Sequence, residues 1–306
     1  MCRGARQPTR GVSPARSVAP LLATDSVTAG MHEPAASTGW QARLEIEIAL
    51  RHGRSRVVGK HQLGPLTIQR AFHPEGAPCH LYLLHPPGGV VGGDALEVDI
   101  RVGSGAHALV TSPGATKFYR SAGPRCRQRQ RLSVATGGIV EWFPHENILF
   151  PGAVCTLDTR VELSGTACFM GWEIQCLGRP VIAERFDEGR AEIALTVLRD
   201  ARPLLTERLR VAGNASLNCP AGLRGFPIAA TFLATGADRD ALAIARRRLT
   251  DSAGYPVGAT LIDDLLMIRA LAPEVEPVSR LFVALWSDLR PSLLGLPACA
   301  PRIWAT

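Results

Sequence analysis

Charge is sparse in this sequence. Asp, Glu, Lys and Arg make up 20% of the 306 residues, too few for a self-repelling disordered chain. Long apolar runs are missing as well. None reaches the roughly 18 residues that read as a membrane-spanning helix, so a soluble globular protein with no membrane contact is expected. Aromatic residues stand at 6%, which supplies no stacking platform for single-stranded nucleic acid. The eight cysteines are scattered singly with no C-x-x-C pair. That argues against a zinc ribbon and a dense disulfide framework, and points to buried, reduced thiols in a cytoplasmic protein. The G-x-x-x-x-G-K-[ST] spacing of a nucleotide P-loop is lacking, as are a repeating βα alternation and a fixed-length repeat.

What is present is enough apolar material for a large core, at 46% of the chain. The formal charge is +7 and the pI about 9.3, but four arginines fall in the first twenty residues. The remainder is mildly basic, and nucleic acid is not an expected partner. Residues 1–30 are rich in Arg, Ser, Ala and Pro, with Asp25 as their only acid. They resemble a transit peptide, a disordered tail, or the product of a start codon placed too early. Met31 is the expected start. Residues 1–35 are set apart as that extension and 36–306 as one domain.

From Trp40 onward the dominant period is two. Leu44, Ile46, Ile48 and Leu50 alternate with Glu45, Glu47 and Ala49. Leu96, Val98, Ile100 and Val102 alternate with Glu97, Asp99 and Arg101, and Ile193, Leu195 and Val197 follow suit. Successive side chains of a strand face opposite ways, so each run buries one face. Gly and Pro clusters punctuate the runs. Many short strands with frequent turns predict a mainly antiparallel β protein. Two helices are expected late. Asp238 can cap the first, with Leu242, Ala245 and Leu249 on one stripe. The second starts near Glu274, carries Val278, Leu281, Phe282, Leu285, Trp286 and Leu289 on a face expected to be core, and stops at Pro291. The segment Ala259 to Leu271 between them is read as a strand.

Several constellations could carry chemistry. In HPPGGVVGGD (His85 to Asp94) the prolines and glycines forbid regular structure, and Asp94 opens a strand. Glu173 sits in the apolar run Cys168 to Ile174, so its carboxylate either faces solvent by alternation or is buried and paired. Cys79, His80 and His85 invite a weak metal site, although Cys79 and His80 face opposite sides of a strand and His85 could join only across a bend. Arg125, Arg127, Arg129 and Arg131 share one strand face, with Gln128 and Gln130 opposite. That stripe is either a solvated face or a contact for an acidic protein. An enzyme using Glu141, Glu173 or Glu184 as paired acid and base is the rival class.

HLYLLHPPGGVVGGD, SPGATKFYRS, EWFPHENILFPGA, GWEIQCLGRPVIAERF and the terminal PRIWAT resemble, in this order, signature stretches of the UreD (UreH) family of urease accessory proteins. GPLTIQRAFHPEG is similar to the family's early segment. The resemblance runs from about Trp40 to Thr306. It implies a mainly β fold, a solenoid-like stack of antiparallel or mixed strands with about two helices near the C-terminus. It also implies a non-catalytic maturation factor that joins UreF and the GTPase UreG on urease apoprotein. A dimeric assembly of the three accessory proteins is one form it allows. The resemblance implies further that no cofactor is held permanently and that nickel(II) passes in transit, through an internal tunnel. Dispersed carboxylates and hydroxyls suit a cation that must keep moving, whereas a closed His and Cys cluster would trap it. By resemblance the path candidates are Asp94, Thr116, Glu141, Glu173 and Glu184. His85, Lys117, Arg120 and Arg179 are polar residues of the motifs.

Overall fold

The computed structural model describes residues 39–250 and 254–305. The extension expected over residues 1–35 lies outside them.

Two sheets face each other. The first runs, edge to edge, through Arg202–Ala212, Arg190–Arg199, Val154–Leu163, Cys126–Val134, Ala95–Val102, Gln41–Arg51 and Arg54–Leu63. The second has the path Val257–Ile262, Leu265–Ala272, Ile228–Thr235, Cys168–Arg179, Ile139–Phe143, His107–Thr111, Cys79–Leu84 and Thr67–Ile68. From Ala95 to Arg199 the chain places successive long strands alternately in the first and second sheet. Neighbours within a sheet therefore belong to successive coils and run the same way. This gives the solenoid-like mixed stack, but it corrects the expectation of mainly antiparallel pairing. The central pairs of both sheets are parallel, and antiparallel pairs sit toward the edges. Period-two patterning is blind to this difference, because it reports faces and not directions. The corners are tight. Gly105, Gly137 and Gly165 turn successive coils at φ +67°, +72° and +51°, where a Cβ would be strained.

One apolar core fills the space between the sheets, with Leu44, Ile46, Val98, Ile100, Leu132, Val161 and Val197 from the first and Leu81, Val110, Val140 and Trp142 from the second. The other face of the second sheet is also buried. Leu109, Phe143, Met170, Trp172 and Phe232 pack against the two long helices. The second sheet is thus covered on both faces, which is why a strand such as HALVT is buried along its whole length and shows no alternation of buried and exposed residues.

The helices are α1 (Gly213–Leu217), α2 (Arg239–Thr250) and α3 (Val275–Leu294). The short α1 carries no sequence signal of its own. Asp238 caps α2 as expected, its Oδ1 accepting from the amides of Asp240 and Ala241 at 3.0 and 2.9 Å. All six stripe residues of α3 are buried against the second sheet, so that face is core. Pro291 does not stop α3, which continues to Leu294 and ends at Gly295 with φ +69°. A proline disfavours helical backbone in the residue before it. Here that residue is Arg290, and its guanidinium is bonded to three separate acceptors, which outweighs the local preference. The segment Ala259 to Leu271 is a hairpin, Val257–Ile262 against Leu265–Ala272. Its turn puts Asp263 at φ +51°, a conformation that aspartate tolerates and that needs no glycine to mark it.

The arginine stripe lies on the wet face of the first sheet. Arg129 is 3.2 Å from Glu97 and Arg125 is 3.5 Å from Glu192. Two of the four thus meet the chain's own acids in exposed pairs worth about 1 kcal/mol or less each. Four thiols, those of Cys79, Cys126, Cys155 and Cys176, are buried and free. Burial pushes the Cys79 thiol up to about 11 and that of Cys126 to about 12, so neither offers a thiolate at neutral pH.

Candidate functional site

The inter-sheet core is not uniformly apolar. On Cys168–Arg179, Trp172, Ile174 and Cys176 face the helices, so by alternation Glu173 and Gln175 face the first sheet. On Cys126–Val134 the arginines take the wet face, so Gln128 points inward and is buried. Val154–Leu163 adds Thr159, also buried. These groups link up. Gln128 Nε2 donates to Asn147 Oδ1 at 3.5 Å, Asn147 Nδ2 to Gln175 Oε1 at 3.2 Å, and Gln175 Nε2 to Glu173 Oε2 at 3.4 Å. Thr159 Oγ1 donates to Gln130 Oε1 at 2.9 Å. Polar side chains inside a core cost free energy unless they bond to one another, and here they do.

Cavities lie along this polar file. One of about 280 Å³ is lined by His85, Thr116, Gln128, Asn147, His145 and Glu173. A second, of about 560 Å³, is lined by Glu173, Gln175, Glu207, Thr231 and Arg269. A small void of about 10 Å³ touches Thr159, Glu173 and Thr231. Glu173 borders all three. Arg269 and Glu207, on opposite sheets, approach to 3.0 Å beside the second cavity. Burial pushes the Glu173 carboxyl up to about 7; the charges of Glu207 and Asp158 add to the rise, and the hydrogen bond from Gln175 opposes it. A carboxyl poised there takes up or gives up a proton near neutrality, and as a carboxylate it is an oxygen donor for a cation.

The other candidates are distributed differently. Thr116 and His85 line the first cavity with Glu173. Asp94 is buried beneath the loop it ends, accepting from the amides of Trp40 and Val91 at 2.8 and 2.9 Å. Glu184 pairs with Arg179 at 2.8 Å, and that guanidinium lies 4.6 Å over the Phe150 ring. Lys117 is exposed, and Arg120 reaches Glu188 at 3.3 Å on the surface. Cys79 is locked in the inter-sheet core. His80 bonds to Glu75 at 2.7 Å. The structure therefore does not bring Cys79, His80 and His85 together.

Glu141 lies on the helix side of the second sheet, fully buried. His107 Nε2 is 2.6 Å from its Oε1, Trp286 Nε1 donates at 2.6 Å to its Oε2, and Arg290 donates to both oxygens. Arg290 also donates to Glu75 at 2.7 and 2.6 Å and to the carbonyl of Pro297. Glu141, Glu173 and Glu184 thus lie in separate environments, and no acid and base pair converges among them.

No site role is expected from the sequence for Gln128, Asn147, Thr159, Gln175, His145 or Arg290. A signal existed for Gln128. A strand with four arginines on one face and glutamines on the other has no apolar face there, so amides must enter the core. For Asn147 and Gln175 no such signal exists, since their partners come from distant coils.

The sequence profile described as UreD urease accessory protein matches residues 41–305. The chain belongs to the UreD family. Relatives named urease accessory protein UreD include those of Alcanivorax borkumensis, 50% identical over 88% of this chain and 93% of the relative, and Pseudomonas entomophila, 45% identical over 92% and 100%. That of Alkalilimnicola ehrlichii is 43% identical over 97% of each chain. The UreD-family match begins where the first strand begins, at residue 41. Among the described residues no helix of this UreD-family chain is long and apolar enough to cross a membrane.

Proposed function

We propose that this chain is a non-catalytic, cytoplasmic maturation factor that passes nickel(II) to urease apoprotein through its polar interior, in complex with UreF and UreG. Its family membership supports a role in urease maturation. The passage reading is carried by one observation: Glu173 borders cavities on both sides of its position in the inter-sheet core. A cation moving between them passes the Glu173 carboxylate, flanked by amides and hydroxyls. That donor set attracts a divalent ion without the multidentate hold that would stop it. Among the described residues no three His, Cys, Asp or Glu side chains converge to hold a metal ion, which suits transit.

The test is Glu173→Leu, with nickel per urease active site measured at equal abundance of the accessory complex. Loading is expected to fall at least ten-fold. Normal loading would remove Glu173 from the path. Asp94→Asn is the companion variant. Because the Asp94 carboxylate serves backbone amides, its loss is expected to cost about 1–2 kcal/mol of stability while nickel delivered per folded complex stays unchanged.

A further inference from the structure

Two of the four arginines in the stripe on Cys126–Val134 meet the chain's own acids. A group of cations left unmet stands elsewhere. Between Glu47 and Glu75 the sequence has no acid, yet it carries Arg51, Arg54, Arg56, Lys60 and Arg70. The first three sit on one hairpin, Gln41–Arg51 against Arg54–Leu63. Arg51 and Arg54 are directly opposite in its register, and Arg56 is opposite Ala49, so all three share a face. All three are exposed. Glu47, two residues beyond Ala49 on that face, is taken by Arg101 at 3.2 Å. Among the described residues none of the three arginines has a carboxylate partner. Like charges directly opposite each other on a ribbon destabilise it, and carboxylates brought by a partner would relieve that repulsion.

The hairpin also projects. Gln41–Arg51 pairs with Ala95–Val102 only as far as Ile48, so residues 49–56 extend past the end of that neighbour. The two-residue turn has His52 at φ +49° and Gly53 at φ +74°, the left-handed pair that matches strand twist in a tight hairpin. Ser55 braces the ribbon. Its amide donates to the Ala77 carbonyl at 2.9 Å, its carbonyl lies 2.7 Å from His73 Nε2, and its hydroxyl accepts from the His107 amide at 2.8 Å. The arginines are thus carried on a fixed element, which lowers the ordering cost of association.

The ribbon's chemistry selects the kind of partner. Strand addition does not suit it. Arg54–Leu63 is an edge of the first sheet, but a bulge at Val58 and the charge of Lys60 blunt that edge. A nucleic-acid backbone would engage the arginines alone. The hairpin also offers Leu50, 42% exposed on its reverse face, and Val58, 48% exposed. Arginine together with apolar side chains is the composition of a protein interface.

We propose that this hairpin is a docking element for an acidic protein surface, whose carboxylates take Arg51, Arg54 and Arg56 and whose apolar side chains cover Leu50 and Val58. Contacts of this kind steer encounter and make binding salt-dependent. The docking element is independent of the passage reading, since it uses no residue of the polar file.

Fluorescence anisotropy with the purified full chain tests it, using two labelled probes of equal charge: polyglutamate and a random glutamate–tyrosine copolymer. Both are expected to bind, the copolymer at least five-fold more tightly, and both to weaken at least ten-fold between about 50 and 300 mM sodium chloride. The triple variant Arg51→Ser, Arg54→Ser, Arg56→Ser is expected to lose at least ten-fold in affinity for either probe. Leu50→Ser combined with Val58→Ser is expected to remove the copolymer's advantage and leave polyglutamate binding unchanged. Arg127→Ser, Arg129→Ser, Arg131→Ser takes the same number of charges from the stripe and is expected to change binding less than two-fold. Equal losses from the two triple variants would reduce the effect to the chain's overall charge and overturn the docking element. So would wild-type affinity in the hairpin variant. A DNA duplex of equal charge that binds more tightly than the copolymer, and is lost in the hairpin variant, would overturn the choice of a protein partner.

Discussion

Arg290→Leu is expected to lower the unfolding free energy by about 3–5 kcal/mol, the cost of breaking a buried ion pair by removing one partner. Arg290 is fully buried and its guanidinium joins three parts of the fold: Glu141 on the second sheet, Glu75 in the loop before Cys79–Leu84, and the Pro297 carbonyl beyond α3. Its removal strands Glu141 in a fully buried position with only His107 and the Trp286 N–H, and leaves Glu75 to His80. Arg290→Lys keeps the charge but cannot span three acceptors with the geometry of a planar fork, and is expected to recover less than half of the loss. Urea unfolding at pH 7 reads both. A loss under 1 kcal/mol for Arg290→Leu would mean that the network contributes orientation and little stability. The same network sets an acid limit. Burial alone would raise the Glu75 carboxyl, but hydrogen bonds from His80 and Arg290 outweigh it and hold it at about 2. Glu141 is likewise held below its ordinary value against burial, by His107 and Arg290. A depressed carboxyl stabilises the fold above its unfolded pKa, and that contribution disappears as the pH falls from about 4.5 toward 2.

Glu173→Gln is expected to act in the opposite direction, raising stability by about 3 kcal/mol at pH 8 and by much less at pH 4.5. With its carboxyl raised to about 7 in the fold, the native state holds a proton that the unfolded chain has already released. Between about pH 4.5 and 7 the native state therefore binds more protons, and stability falls as the pH rises through that window. Above 7 the full cost of ionising the half-buried Glu173 is present. The glutamine removes the ionisation and keeps the polar link to Gln175. Parallel thermal melts of wild type and variant across pH 4.5 to 8 provide the measurement. Curves that stay parallel would show that Glu173 is an ordinary ionised carboxylate, solvated through the cavities. The result also bears on the nickel test, since a Glu173→Gln variant at least as stable as wild type cannot lose nickel delivery through unfolding.

The strands of the first sheet were readable because one of their faces is wet. Leu44 against Glu45 and Leu96 against Glu97 alternate in the sequence because they alternate between core and water. The second sheet lies under helices on one side and the first sheet on the other, so HALVT and CFMGWEIQC show no clean alternation. Glu173 could therefore be placed on a strand, but not on a face. The cap at Asp238 and the core stripe of α3 depend on residues within a turn or two of one another, and both were legible. The extension of α3 past Pro291 depends on an arginine whose partners lie up to 215 positions away.

By itself the sequence determined the family, the β character, the buried face of α3 and the isolation of Glu173 among apolar neighbours, because all of these are carried by local order along the chain. Only the tertiary structure decided that the strands stack in parallel coils, that Glu141 is spent on Arg290, and that His85 shares a cavity with His145 and not with His80. Those outcomes depend on which residues of successive coils come to lie side by side, and that distance is set by the stacking of whole strands, not by their spacing in the chain.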